Sequence, residues 1–202
     1  ATGGLNLPLA WDKATGTGVI VAVIDTGITT HSDLNANIVG GYDFISNATT
    51  AADGGGRDSN PADAGDSTTA NQCQANTAAR GSSWHGTHVA GTIAAVSNNA
   101  KGVAGVAFNA KVSPLRALGK CGGSISDIAD AINWASGGTV SGVPANTNVA
   151  KVINMSLGGQ GTCGTTTQAA INSAVGRGSV VIVAAGNSNA NVSGFNPANC
   201  AN

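Results

Sequence analysis

The segment SSWHGTHVAGTIAA, residues 82–95, sets His85 and His88 three positions apart at the start of an apolar helical pattern. They are two of only three histidines in the chain. A zinc-binding helix wants histidines at i and i+4, usually with Glu beside the first. Here the spacing is i and i+3, Gly86-Thr87 lies between them and no Glu is adjacent. The pair is therefore expected to be one functional imidazole and one packed one. An imidazole takes up a hydroxyl proton near neutral pH, and a carboxylate on its other nitrogen fixes the tautomer and stabilises the cation. Asp25, in VIDTG, is the carboxylate placed at a strand end, although Asp-Thr-Gly there also suits a plain turn. A second cluster is ADGGGRDSNPADAGDS, residues 52–67, where Asp53, Asp58, Asp63 and Asp66 are offset only by Arg57. Hard cations such as calcium take several oxygens from such loops, and the alternative is a solvated acidic loop. The spacing is not that of an EF-hand.

Cys73, Cys121, Cys163 and Cys200 lack the paired spacing of a zinc site and imply two disulfides. Cys73–Cys121 with Cys163–Cys200 is the expected connectivity, since each bridge closes a loop of moderate length. Each would stabilise by about 4 kcal/mol in the chain-entropy account. Disulfides imply an oxidising compartment.

These side chains need a scaffold. Three β-branched apolar runs, GVIVAVIDTG (18–27), AKVINMSLGG (150–159) and GSVVIVAAGN (178–187), suit strands buried on both faces, and AKVSPLRAL (110–118) is a weaker one. In SISDIADAINWA (124–135) Ile125, Ile128, Ala129, Ile132 and Ala135 share a helical face behind a Ser124–Asp127 capping pair. TTTQAAINSAVGRG (165–178) is a second helix, ended by glycine. Alternating strands and helices predict an α/β domain, a doubly wound and mostly parallel sheet flanked by helices. Ligands of such sheets gather beyond the carboxyl ends of the strands, where Asp25, Ser156–Gly159 and Gly186–Asn187 fall. One domain spans 1–202, with a polar insertion at about 46–82 that lacks periodicity. Charged residues are only 9% and the net charge is −1, which excludes a basic field for nucleic acid or anionic membranes. No apolar run approaches the ~20 residues of a membrane span. The start, ATGGLNLPLAW, has neither Met nor a leader and reads as a processed mature chain.

Asp-Thr-Gly also surrounds the carboxylates of aspartic proteases, but those β-rich proteins need a second matching segment that this chain lacks. A different set of segments, VAVIDTGITTHSDL (21–34), HGTHVAGTIAA (85–95), NMSLGG (154–159) and VAAGNSN (183–189), occurs in an order that resembles the subtilisin-like serine proteases, the subtilases. The resemblance runs from Trp11 to Asn187 and implies a secreted endopeptidase. By it, Asp25 is the triad carboxylate, His85 the general base, His88 a packed structural residue and Asn187 the oxyanion donor. Ser156, Leu157 and Gly158 match the strand lining the specificity pocket, and Gly122 and Gly123 the strand on the other side of an extended substrate. Structural calcium is common in the family. Asp33 matches a family aspartate, and Asn99 with carbonyls of the 96–103 loop would complete such a site.

The family's nucleophile lies in a Gly-Thr-Ser-Met-Ala segment. The only methionine here is Met155, and no Gly-Thr-Ser occurs. The serine is therefore expected on a complementary C-terminal fragment of the same protease, separated by a nick near Asn202, or the chain is a truncated piece. The rival is a non-catalytic scaffold that still binds extended peptides. A metal-dependent hydrolase using both histidines is the third reading.

Overall fold

A computed structural model describes residues 4–202; the start of the chain, expected to be a processed end, falls partly in residues 1–3, outside that range. In chain order the elements are α1 (Leu7–Trp11), β1 (Ile20–Asp25), β2 (Tyr42–Asp43), α2 (Ala48–Ala51), α3 (His85–Ala94), β3 (Lys111–Arg116), α4 (Ile125–Ala135), β4 (Val152–Met155), β5 (Gly159–Gln160), α5 (Thr165–Gly176), β6 (Val180–Val183) and β7 (Phe195–Asn196). Five strands form one sheet, ordered β2-β3-β1-β4-β6, and every pairing in it is parallel. β5 and β7 make a separate antiparallel ribbon.

Alternation along β1 sends side chains to both faces. Val23, with Val112 of β3, packs under Ala90 and Ala94 of α3. Ala22 and Ile24 face the other way, into a core with Ala129, Ile132 and Ala135 of α4 and Ala170 and Ile171 of α5. Helices on both faces of a parallel sheet are the doubly wound α/β arrangement expected. Ser124 caps α4 through the Asp127 amide at 3.1 Å. α5 ends one residue before Arg177, and Gly178 takes the positive φ that follows.

Pro114 sits inside β3 although β3 has neighbours on both sides. The amides of Lys111 and Ala117 point to β1, so the missing Pro114 amide points to the β2 side. There the pairing is interrupted between an Ile38–Val112 bridge and β2. The proline falls in the gap, where no donor is required.

β6 departs from expectation. Val180 is 55% and Ile182 49% exposed, while Val181 and Val183 are half-buried. Its apolar run predicts a strand covered on both faces; it is the last in the order, and its alternating pattern shows one face left open.

Both expected disulfides form, Cys73–Cys121 and Cys163–Cys200. The insertion is not without order. It holds α2, bridges Asp43–Asp58, Ile28–Ala62 and Thr68–Arg80, and is tied to the sheet by a buried charge cluster. Arg116, 0% exposed at the end of β3, bonds the Asp43 carboxylate at 2.5 Å, the Asp53 carboxylate at 2.6 Å and the Ala51 carbonyl. A second pair of contacts joins Arg57 to Asp127 and Asp130 on α4, at 2.6 and 2.8 Å.

Burial pushes the Asp43 carboxyl up to about 6, against the Ile45 amide and Arg116, which favour its charged form. Its folded value lies above the unfolded one, so the folded chain holds an extra proton between about pH 4 and 6. The stabilisation is full below the unfolded value and is lost as pH rises through 6. Unfolding by urea should therefore cost about 1 kcal/mol more at pH 5 than at pH 7 through this group. In Asp43→Asn that pH difference should shrink by the same amount, as read from paired denaturation curves.

Candidate active site

β1 ends at Asp25, whose side chain is 1% exposed. A buried carboxylate needs donors. Thr26 N–H gives one at 2.7 Å, and His85 Nδ1 lies 2.8 and 2.9 Å from the two carboxylate oxygens. A carboxylate only accepts, so the imidazole proton belongs on Nδ1 and Nε2 is left free to take another. The His85 side chain is 45% exposed, which puts that nitrogen within reach of a ligand. Burial raises the Asp25 carboxyl; the His85 contact and the Thr26 amide oppose this, and the Asp63 charge adds to it.

Local backbone makes the contact possible. His85 is the first residue of α3, preceded by Trp84 in the left-handed region at φ +51°. Gly86 follows because α3 begins against the turn after β1: a Cβ there would collide with the Gly27 backbone. The Gly86 amide donates to Thr26 Oγ1 at 3.0 Å, and that hydroxyl donates to Asp63 at 2.7 Å. Thr87 Oγ1 takes the Thr29 amide at 2.9 Å. The turn after Asp25 is thus fastened to the two α3 residues that directly follow His85.

His85 opens onto a cleft of about 880 Å³. One wall carries Ser156, Leu157 and Gly158, beyond β4; another carries Gly122 and Gly123. All five expected substrate-strand residues therefore meet the base in one cleft. Sequence reasoning missed the rest of its lining. Asp66, Thr68, Gln74 and Arg80 of the insertion also line it, as do Asn196-Pro197, which lie against Gly158 and Gly159. The Cys73–Cys121 bridge, which fastens the insertion to the Gly122 segment, was the signal available.

Three expectations fare differently. His88 is exposed, not packed: the buried stripe of α3 is Gly86, Ala90 and Ala94, four residues apart, and His88 lies nearly opposite it. Asn187 lies beyond β6, exposed, and does not line the cleft with His85. The four insertion carboxylates do not converge. Asp53 is drawn to Arg116, Asp58 accepts the Asn60 amide, Asp63 accepts Thr26 Oγ1 and the Gly65 amide, and Asp66 holds Ser83 N–H and Oγ at 2.6 and 2.8 Å. Among the described residues no three His, Cys, Asp or Glu side chains gather as metal ligands, which also leaves the two-histidine metal site without a third ligand.

Asp33 differs from those four. It is 3% exposed, and its carboxylate takes Asn99 Nδ2 at 2.5 Å and the Val103 amide at 3.1 Å. The loop around it is tightly curled, with positive φ at Asn98, Ala100 and Gly102, and a Cβ on Gly102 would strike the carboxylate. The Asn99 bond and the Val103 amide hold the Asp33 carboxyl below its ordinary value, hence charged.

The profile of the subtilase family matches residues 16–202. An "Extracellular protease" of Xanthomonas campestris pv. campestris is 72% identical over 98% of this chain and 34% of its own length. An "Extracellular basic protease" of Dichelobacter nodosus is 51% identical, again over 98% of this chain and 34% of its own. The chain thus spans about a third of the length of these curated relatives. Among solved structures, a protease of Pseudoalteromonas arctica superposes with a TM-score of 0.96 at 67% identity, over 98% of this chain and 58% of that one. A cold-adapted subtilisin-like serine proteinase gives 0.63 at 30% identity, over 93% and 53%. With the parallel sheet, the buried Asp25 against His85 and a matched span from residue 16 to residue 202, the chain belongs to the subtilase family.

Proposed function

We propose that this chain supplies the acid–base half of a secreted serine endopeptidase. The observation that carries the reading is the buried Asp25 carboxylate bonded to Nδ1 of an exposed His85, inside a cleft lined by Ser156–Gly158 and Gly122–Gly123. His85 Nε2 would accept the proton of a serine hydroxyl as it attacks the peptide carbonyl, then return it to the leaving amine. Asp25 would hold the imidazole in the Nδ1–H tautomer and stabilise its charged form. Asn187 would donate to the oxyanion once the acyl-transfer partner is in place. The substrate backbone would lie extended between the two glycine-bearing strands. The extracellular setting rests on the names of the relatives and on the two disulfides.

The serine would come from a later segment of the same protease, present as a complementary C-terminal fragment. The exposed Val180–Ile182 face of β6 suits the docking of such a fragment. The opposing reading is a peptide-binding scaffold that holds extended peptides along Ser156–Gly158 without cleaving them. Intact-mass spectrometry under denaturing, non-reducing conditions, after treatment with a fluorophosphonate, separates them. A second polypeptide carrying Gly-Thr-Ser-Met-Ala and one probe adduct is the expected result. The 202-residue polypeptide by itself, without adduct, would favour the scaffold.

A structural calcium ion is proposed at Asp33. The charged carboxylate and the curled loop suit a hard cation; the Asn99 side-chain oxygen and loop carbonyls would complete its oxygens. The ion would supply rigidity. Removing calcium with EGTA should lower stability by about 2–3 kcal/mol relative to saturating calcium, read as a drop in melting temperature. Asp33→Asn should melt at the same temperature with and without EGTA. In the assembled protease, Asp25→Asn should reduce kcat by about 10⁴-fold, the loss a triad suffers when its carboxylate becomes an amide. Its KM and its melting temperature should change far less.

A further inference from the structure

The cleft contains a cation that the triad does not use. Arg80 lies five residues before His85, in the insertion, and its backbone is fixed by paired bonds to Thr68, each 2.9 Å. It is exposed and lines the cleft. Among the described residues its guanidinium forms no ion pair and no hydrogen bond. The other ordered guanidiniums are committed: Arg57 to two aspartates, Arg116 to two aspartates and a carbonyl, Arg177 to the Ser136 hydroxyl. Among the described residues the only carboxylate lining the cleft, Asp66, is satisfied at both oxygens by Ser83.

The wall that carries Arg80 is anchored on one side of the cleft. Cys73–Cys121 joins the insertion to the residue before Gly122, and Arg80 lines the same cleft as Gly122, Gly123 and Ser156–Gly158. Cys121 itself is held in the left-handed region at φ +66°, in a turn closed by the Gly119–Gly122 bonds. The wall therefore has a fixed position relative to the strand that would pair with a peptide. A peptide lying extended there points alternate side chains outward, and a guanidinium with no partner of its own favours a carboxylate.

We propose that Arg80 is a specificity-determining residue that selects peptides with an acidic side chain on the stretch lying along Gly122–Gly123. This rests on the reading of the cleft as a peptide site. An exposed pair in such a cleft is worth up to about fivefold in binding or in kcat/KM, and it weakens as salt is raised.

The test uses the assembled protease, active and with its serine blocked by a fluorophosphonate, and matched peptides that differ only in Glu, Gln or Lys at one of the three positions before the scissile bond. Fluorescence anisotropy on the blocked protein measures affinity; the active protein gives kcat/KM. At one position the Glu peptide should exceed its Gln counterpart about fivefold in low salt, and Lys should be worst. Arg80→Gln should bring the Glu/Gln ratio to one, Arg80→Lys should keep part of it, and Arg80→Glu should make Lys the preferred residue. Equal affinity for Glu and Gln at all three positions in the unmodified protein overturns the proposal, as does a preference that survives Arg80→Gln. The two readings fail separately: peptides that bind with the Glu preference but are never cleaved would sink the protease reading and leave Arg80 its role.

Discussion

Everything in the site depends on one buried charge. Asp25 ends the central strand of a parallel sheet, sealed from water, and a carboxylate there persists only if donors replace its hydration. One donor comes from its own neighbour, the Thr26 amide, and the other from a residue sixty positions on. The start of α3 must therefore reach the end of β1 at bonding distance. That requirement accounts for Gly86, for the hydroxyl of Thr26 under the Gly86 amide, and for the Thr29–Thr87 contact beside it. The polar partners of His85 are thus set by the need to satisfy Asp25. The half-exposed imidazole is what remains available for chemistry.

The insertion solves a related problem at the neighbouring strand. β3 ends in a fully buried arginine beside Asp25 in the register. Without Asp43 on β2 and Asp53 from the insertion, Arg116 would be an unpaired charge in the interior, a defect of about 3–5 kcal/mol. The segment 46–57 is consequently part of the core's electrostatics, anchored a second time by Arg57 on α4. With its base secured there and Cys73 tied to Cys121, the part from Asp66 to Gly81 can serve as a wall of the cleft. The insertion's sequence suggested a cation-binding or solvated acidic loop; instead Asp53 is fastened to the sheet, Arg57 to α4, Asp63 to the turn after β1 and Asp66 to Ser83 before α3.

This explains which features were legible in the sequence and which were not. β1, β3, β4 and β6 were readable because β-branched runs between turn residues are a local signal, and α4 because Ser124 and its apolar spacing are one too. Asp25, His85 and the Ser156–Gly158 strand were readable through short motifs whose order is distinctive. Arg116 was not: inside AKVSPLRAL it is one charge in an apolar run, and its partners lie 73 and 63 residues away. The acidic residues at 53–66 misled for the same reason. Proximity in sequence suggested a shared ion, but each carboxylate is held by a different partner, and those of Asp53 and Asp63 lie far off in sequence. His88 misled because a motif position does not say which side of a helix its surroundings cover.

The open face of β6 and the cleft make complementary demands. In a sheet ordered β2-β3-β1-β4-β6, Val180 and Ile182 leave about half of each side chain in water at the last strand. Exposed apolar area of this kind, at about 25 cal/mol for each Å² that becomes covered, favours further packing on that side. Asn187 sits just past the same strand, also exposed and away from His85. An oxyanion donor is useful only when aimed at a reacting carbonyl that the base also reaches. The acid–base pair needs no such help, since Asp25 and His85 are already locked together from within. Asp25 and His85 are held together for reasons internal to this polypeptide, whereas the open apolar face of β6 lies at the edge of the sheet.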